Sequence, residues 1–293
     1  MRLGRIGAPG RERPVVLDPD RGVLVEVGAH VDEIDGDFLA GGGVRRLAAV
    51  LAGTGDSLPT VPLGAERVGP PVARPATVVC IGLNYADHAA ESGVTPPAEP
   101  IMFLKATNTV VGPDDDVLIP VGSEKTDWEV ELAVVLGRTA RYLPDPAAAA
   151  ACIAGYAISN DVSERAFQLE RGGQWDKGKC CETFNPLGPW LVTPDEVPDP
   201  GRLGLRLTVN GEPRQNGSTA DMIFDVPYLI WYLSQFLVLE PGDVVNTGTP
   251  AGVGLGLRPP RYLRAGDVME AEIDGLGRQR QRCRPARRDP AIR

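Results

Sequence analysis

The sequence predicts an α+β protein made mostly of β-strands, with a small α/β lobe ahead of a larger domain. Three observations predict it. Short apolar runs rich in β-branched residues, bounded by Gly and Pro, recur from residue 77 to 283. Helical periodicity is confined to short stretches and one longer one, 225–239. A Pro- and Gly-punctuated passage at 58–75 reads as a connector. The expected division is 1–70, 71–284 and an Arg-rich tail at 285–293.

Composition narrows the function classes. The chain has 293 residues, 43% hydrophobic and 24% charged, as expected of a globular protein with a sizeable core. A net charge of −9 argues against nucleic acid or an anionic membrane surface as partner, since both need a basic footprint. The N-terminus lacks the apolar segment of a secretory signal, and no apolar run reaches membrane-spanning length. The five cysteines (Cys80, Cys152, Cys180, Cys181, Cys283) are odd in number and form no C-x-x-C pair, so neither a disulfide framework nor a zinc site is expected. These features predict a reduced, cytoplasmic enzyme. Two histidines exclude a multi-histidine metal centre, so a metal here would sit on oxygen ligands, as Mg²⁺, Mn²⁺ or Ca²⁺ do.

In the first 70 residues, strand candidates at 14–17 and 23–27 precede a helix at 44–51. His30 stands alone in a polar loop and reads as solvated surface. The run 77–82 is a buried-strand pattern that feeds a short helix from Asp87 to Gly93. On that helix His88 and Glu91 share a face. A carboxylate beside an imidazole orients it and raises its basicity, which makes the pair a candidate general base for water. A strand at 101–105 follows. Asp114–Asp116 lacks the glycine and terminal glutamate of a calcium loop and reads as a turn.

The run 127–136 reads as one strand. Residues two apart on a strand face the same side, so Glu129 and Glu131 project together, opposite Trp128, Val130 and Leu132. Two carboxylates on an otherwise apolar strand are costly to bury unless a cation compensates them. Solvated glutamates on an edge strand are the bland alternative. After an Asp145-capped, alanine-rich helix, a strand at 154–159 delivers Asp161 at its end as the candidate third carboxylate. A helix from Ser163 to Glu170, capped by Ser163, carries Arg165 and Gln168 on one face, suited to a substrate carboxylate or to plain solvent. The stretch 173–180 fits G-x-x-x-x-G-K but ends in Cys180 and follows no strand, which rejects a phosphate loop. Lys179 remains a candidate for stabilising a developing enolate. Cys180 or Cys181 as nucleophile is the weaker idea. A strand at 203–209 with Asn210-Gly211 predicts a tight hairpin. The 225–239 helix, a strand at 243–246, a Gly-rich loop at 247–254 and a closing hairpin at 267–283 complete the chain.

Ile81 to His88, Glu129-Val130-Glu131-Leu132, Asn160-Asp161-Val162-Ser163, Pro186-Leu187-Gly188-Pro189, Asn210-Gly211-Glu212, Glu240-Pro241-Gly242-Asp243 and Thr247 to Gly254 together resemble the fumarylacetoacetate hydrolase family. The segment from Glu164 to Lys179 resembles its bacterial branch of 2,4-diketo-3-deoxy-L-fuconate and acylpyruvate hydrolases, with proteins labelled ureidoglycolate lyase. Glu182 departs from the aspartate the family often shows there. The resemblance implies a mixed β-sandwich roll, a homodimer, and Mg²⁺ or Mn²⁺ at the site, with Ca²⁺ as an inactive occupant. It implies Glu129, Glu131 and Asp161 as metal ligands and His88 with Glu91 as the water-activating pair. It also implies Arg165, Gln168, Lys179 and Thr249 as contacts to a small 2-oxo acid. The expected reaction is hydrolytic C–C cleavage of a 2,4-dioxo acid. The rivals are decarboxylation, hydration or isomerisation on the same scaffold, and, in another class, a non-catalytic metal and oxo-acid binding protein.

Overall fold

The structure is a computed structural model and describes residues 1–54, 57–91 and 93–288. Its N-terminal part contains β1 (Arg2–Ile6), β2 (Arg13–Asp18), β3 (Val23–Glu26), α1 (Gly36–Ala40), α2 (Gly43–Thr54) and β4 (Thr60–Pro62). There follow β5 (Val78–Gly82), α3 (Ala86–Glu91), β6 (Ile101–Lys105), β7 (Val110–Val111), β8 (Val117–Ile119), β9 (Thr126–Asp127) and β10 (Val130–Leu136). The middle of the chain forms β11 (Ile153–Asn160), β12 (Ser163–Glu164), α4 (Arg165–Leu169), α5 (Asp176–Lys179) and β13 (Asn185–Val192). The remainder is β14 (Gly204–Val209), β15 (Glu212–Ser218), α6 (Val226–Leu233), β16 (Val244–Asn246), β17 (Val268–Ile273) and β18 (Gly277–Pro285).

The architecture is mostly β, as expected. One long mixed sheet runs β4-β3-β2-β1-β13-β11-β10-β16-β5-β6, and a second runs β15-β14-β17-β18-β8. Strand β10 sits in the middle of the first, antiparallel to both β11 and β16. Its alternate residues serve two cores. Val130, Leu132, Val134 and Leu136 pack with Leu205, Leu207, Met269 and Ile273 between the sheets. Ala133 and Val135 face the other side, where Leu39 and Leu47 of the N-terminal helices pack on Val78, Cys80 and Leu191. Glu131 lies on that second face, in line with Ala133 and Val135.

Several local expectations are corrected. The 127–136 run is not one ladder: Trp128 and Glu129 interrupt it between β9 and β10. Strand β10 is central, so the bland alternative of an edge strand is not met, and Glu131 on it and Glu129 just before it are buried. The connector at 58–75 contains β4, which pairs with β3. Helix α4 begins two residues later than expected and is capped by Glu164, whose carboxylate accepts from Ala166 N, because Ser163 is engaged in β12. Helix α6 stops at Leu233, since Leu239 is drawn into a bridge with Ala140. At the β14–β15 turn Asn210 and Gly211 both have positive φ (54° and 78°), as the sequence predicted for a type I′ hairpin. The N-terminal strands extend the long sheet directly, through Arg2 opposite Val192 and Leu3 opposite Leu191. Of the 285–293 tail, residues 289–293 lie outside the described residues.

Candidate active site

A cavity of about 210 Å³ opens where β5, α3, α4, α5 and the Gly-rich loop meet, and His88, Glu129, Glu131, Arg165, Gln168, Lys179 and Thr249 line it. Glu129, Glu131 and Asp161 each place a carboxylate oxygen within 4.8 Å of the others. The break before β10 brings this about. Glu129 N donates to Asn160 Oδ1 (3.1 Å), and Asp161 N donates to the Glu129 carbonyl (2.9 Å), so the ends of β10 and β11 are laced together beyond the ladder. All three carboxylates are buried.

Their partners are unequal. Lys179 Nζ bridges Glu129 Oε2 (2.7 Å) and Asp161 Oδ2 (2.8 Å), and Lys105 Nζ donates to the other Asp161 oxygen. Arg165 holds Glu129 Oε1 through Nη2 (2.7 Å) and Asp127 Oδ2 through Nε (2.8 Å). Glu131 has no ion-pair partner among the described residues; its one hydrogen bond comes from Gly248 N (2.8 Å). Burial tends to raise the carboxyl of Glu129, but the charges of Lys179 and Arg165 outweigh it and hold the group below the usual glutamate range. Glu131 goes the other way: burial, then the charges of Asp161 and Glu129, push it well up. Four buried carboxylates, counting Asp127, thus face three buried cations, and the surplus sits on Glu131. A divalent cation fits this arrangement, because it satisfies the orphaned carboxylate with the hard oxygen ligands the site offers.

On the opposite wall, α3 presents His88 Nδ1 at 3.5 Å from Glu91 Oε2. Glu91 is held from behind, since both its oxygens accept from Gly252 N at 3.1 Å. Burial pushes its carboxyl up, and the His88 and Gly252 contacts reverse this, leaving it lowered and ionised. The Gly-rich loop is shaped by these carboxylates. A Cβ on Gly256 would lie 2.1 Å from Glu91 Cδ, and Gly254 N and Leu255 N both donate to Asp127 (2.6 and 2.9 Å). Trp128 Nε1 donates to the Gly252 carbonyl (3.0 Å) and pins the loop from the core side.

The remaining sequence candidates fall in place around these two walls. Gln168 Oε1 accepts from Arg165 Nη1 (3.1 Å), so the two act as one donor group. Thr249 lines the cavity, but its hydroxyl donates to the Val130 carbonyl (2.8 Å) and accepts from Gln215 Nε2 (2.7 Å). Lys179 is the last residue of α5, its ammonium 4.8 Å from the centre of the Phe103 ring. Cys180 and Cys181 are poor nucleophiles: burial pushes both thiols up, Cys181 to about 11. Sequence reasoning missed Lys105, Asp127 and Gln215. Lys105 carried a faint signal, a lysine closing the apolar run of β6.

The fumarylacetoacetate hydrolase C-terminal domain profile matches residues 77–284. A protein of Burkholderia multivorans, whose description as a hydrolase is provisional, is 52% identical over 98% of this chain and 100% of its own length. The 2-hydroxyhepta-2,4-diene-1,7-dioate isomerase of Mycobacterium marinum superposes with a TM-score of 0.76 at 31% identity, over 98% of this chain and 100% of that one. The maleylpyruvate hydrolase of Sphingobium sp. SYK-6, in complex with manganese(II) and pyruvate, superposes with a TM-score of 0.81 at 27% identity and the same coverage. Fold and site therefore define an enzyme of hydrolase or isomerase type. The chain belongs to the fumarylacetoacetate hydrolase family. No helix among the described residues is long and apolar enough to cross a membrane.

Proposed function

We propose that the protein is a divalent-metal-dependent hydrolase that cleaves the C3–C4 bond of a 2,4-dioxo acid, an acylpyruvate or 2,4-diketo-3-deoxy sugar acid, to pyruvate and a carboxylic acid. The observation that carries this reading is that a histidine with its own carboxylate opens onto the same cavity as Glu129 and Glu131, which cluster with Asp161. Mg²⁺ or Mn²⁺ held by Glu129, Glu131 and Asp161 would supply Lewis acidity toward the carboxylate and 2-oxo group of the substrate. Arg165 and Gln168 offer donors to that same end. With Nδ1 turned to Glu91, His88 Nε2 takes a proton from water. The water oxygen bonds to C4, the C3–C4 bond breaks, and its electron pair leaves on C3 as the enolate of pyruvate. The charge develops beside Lys179, and the proton returned to C3 completes pyruvate. The manganese and pyruvate held by the Sphingobium hydrolase support both the cation and the product.

An isomerase is the second reading, favoured by the name of the Mycobacterium marinum neighbour. Isomerisation of an unsaturated 2-oxo acid needs no activated water, so His88 separates the two. His88→Ala is expected to lower 2,4-dioxopentanoate hydrolysis by about 10²–10⁴-fold while Mn²⁺ binding, read by calorimetry, is unchanged. Wild-type hydrolysis in that variant would remove the water-activating role. Lost hydrolysis with rapid isomerisation by the wild type would favour the second reading.

A further inference from the structure

Beside its carboxylates the cavity carries an apolar lining. Leu83, Phe103, Trp175, Leu169 and Leu255 line it. The indole is seated by design of the backbone. Gly82 has no positive φ to require glycine, yet a Cβ there would lie 2.6 Å from Trp175 Cζ3. Trp175 meets Phe103 edge-on at 5.5 Å, and Phe103 in turn covers the Lys179 ammonium. Leu169 keeps 46% of its surface exposed at this wall, apolar area that the chain itself leaves uncovered.

The lysine and arginine that line the cavity are anchored at its carboxylates: Arg165 pairs with Asp127 and Glu129, and Lys179 with Glu129 and Asp161. Among the described residues no further lysine or arginine lines the cavity. A second carboxylate at the far end of a substrate would meet this apolar lining with no further lysine or arginine to pair with among the described lining residues. Maleylpyruvate and 2-hydroxyhepta-2,4-diene-1,7-dioate, the compounds in the names of two structural neighbours, both end in such a carboxylate. We infer that this site takes a 2-oxo acid whose distal group is uncharged and apolar, a short alkyl or aryl acyl group. The cavity, about 210 Å³, also keeps that group small. The inference rests on the 2-oxo-acid reading of the carboxylate end.

Two arms test it on the full chain with Mn²⁺ present. In the binding arm, calorimetry compares 2-oxoglutarate with 5-methyl-2-oxohexanoate, which has the same shape with isopropyl in place of the distal carboxylate. The apolar acid is expected to bind at least about tenfold more tightly, the cost of an unpaired buried polar group. Equal or tighter binding of 2-oxoglutarate would overturn the inference. In the turnover arm, kcat/KM is expected to rise about fourfold per methylene from 2,4-dioxopentanoate to 2,4-dioxoheptanoate. Trp175→Ala is expected to flatten that rise through KM, and Leu169→Arg to narrow the gap to 2-oxoglutarate in the binding arm. A wild-type rate that does not rise with chain length would count against the apolar wall. Failure to cleave either dioxo acid, with the binding preference intact, would strike the hydrolase reading and leave this one standing.

Discussion

Lys105 shows what a single side chain does for this site and why the sequence hides it. Its ammonium is buried between Asp161 and the Val162 carbonyl, which it meets at 3.0 Å. The sequence shows only a lysine at the end of an apolar run, fifty-six positions from its partner. The glutamates are different, because their two-residue spacing and apolar setting are local and can be read directly. Asp127 and Gln215 escaped notice for the same reason as Lys105: each works through residues far away in the chain. Removing the lysine while keeping its length, Lys105→Met, would strand one oxygen of Asp161. The expected cost is about 3 kcal/mol in the urea unfolding free energy of the metal-free protein. An unchanged midpoint and slope would mean that Asp161 does not depend on it.

At the level of elements, the Gly-rich loop joins the two walls of the cavity. Its amides hold Glu131, Glu91 and Asp127, and at Gly254 and the following Gly256 a Cβ would meet the Asp127 and Glu91 side chains. The sequence pattern shows the Gly-rich loop, but not the distant carboxylates its backbone holds. Two substitutions separate catalysis from folding. Gly256→Ala puts a methyl onto the Glu91 carboxylate, so hydrolysis should fall by about 10²-fold, as for a 1 Å misplacement, with Mn²⁺ binding preserved. Gly252→Ala meets the Arg214 carbonyl at 2.0 Å and a φ of +104°, so it should instead lower stability. Equal effects of both variants on melting temperature would contradict this division. Helix α6 ends earlier and α4 is capped later than the pattern predicts, because propensity runs on where tertiary pairing stops an element.

Across the whole molecule, β2 and β3 are legible one by one, but β1, which joins them to β13 nearly two hundred residues on, is not. An ion network ties the β1–β2 hairpin to Arg67 of the connector and Asp115 of the turn at 114–116. Glu12 accepts from Arg67 Nη1 (2.9 Å) and lies 3.4 Å from Arg5, while Arg67 also holds Asp115. Burial raises the Glu12 carboxyl, but the Arg67 hydrogen bond and the charges of Arg5 and Arg67 leave it below the usual glutamate value. A carboxyl lowered on folding makes the unfolded chain the stronger proton binder. Its contribution is therefore full above the ordinary glutamate pKa and lost as pH falls through the folded value. Urea midpoints of the wild type should drop more steeply than those of Glu12→Gln below about pH 4.5; parallel curves would show the network contributes nothing. The proposed chemistry needs a cation gathered by three distant carboxylates. It is tested most directly by following 2,4-dioxopentanoate with the purified protein, before and after EDTA and then with Mn²⁺ restored. The expected result is equimolar pyruvate and acetate, abolished by EDTA and recovered with the metal. Undiminished cleavage by metal-free protein, or no cleavage with Mn²⁺ bound, would contradict it.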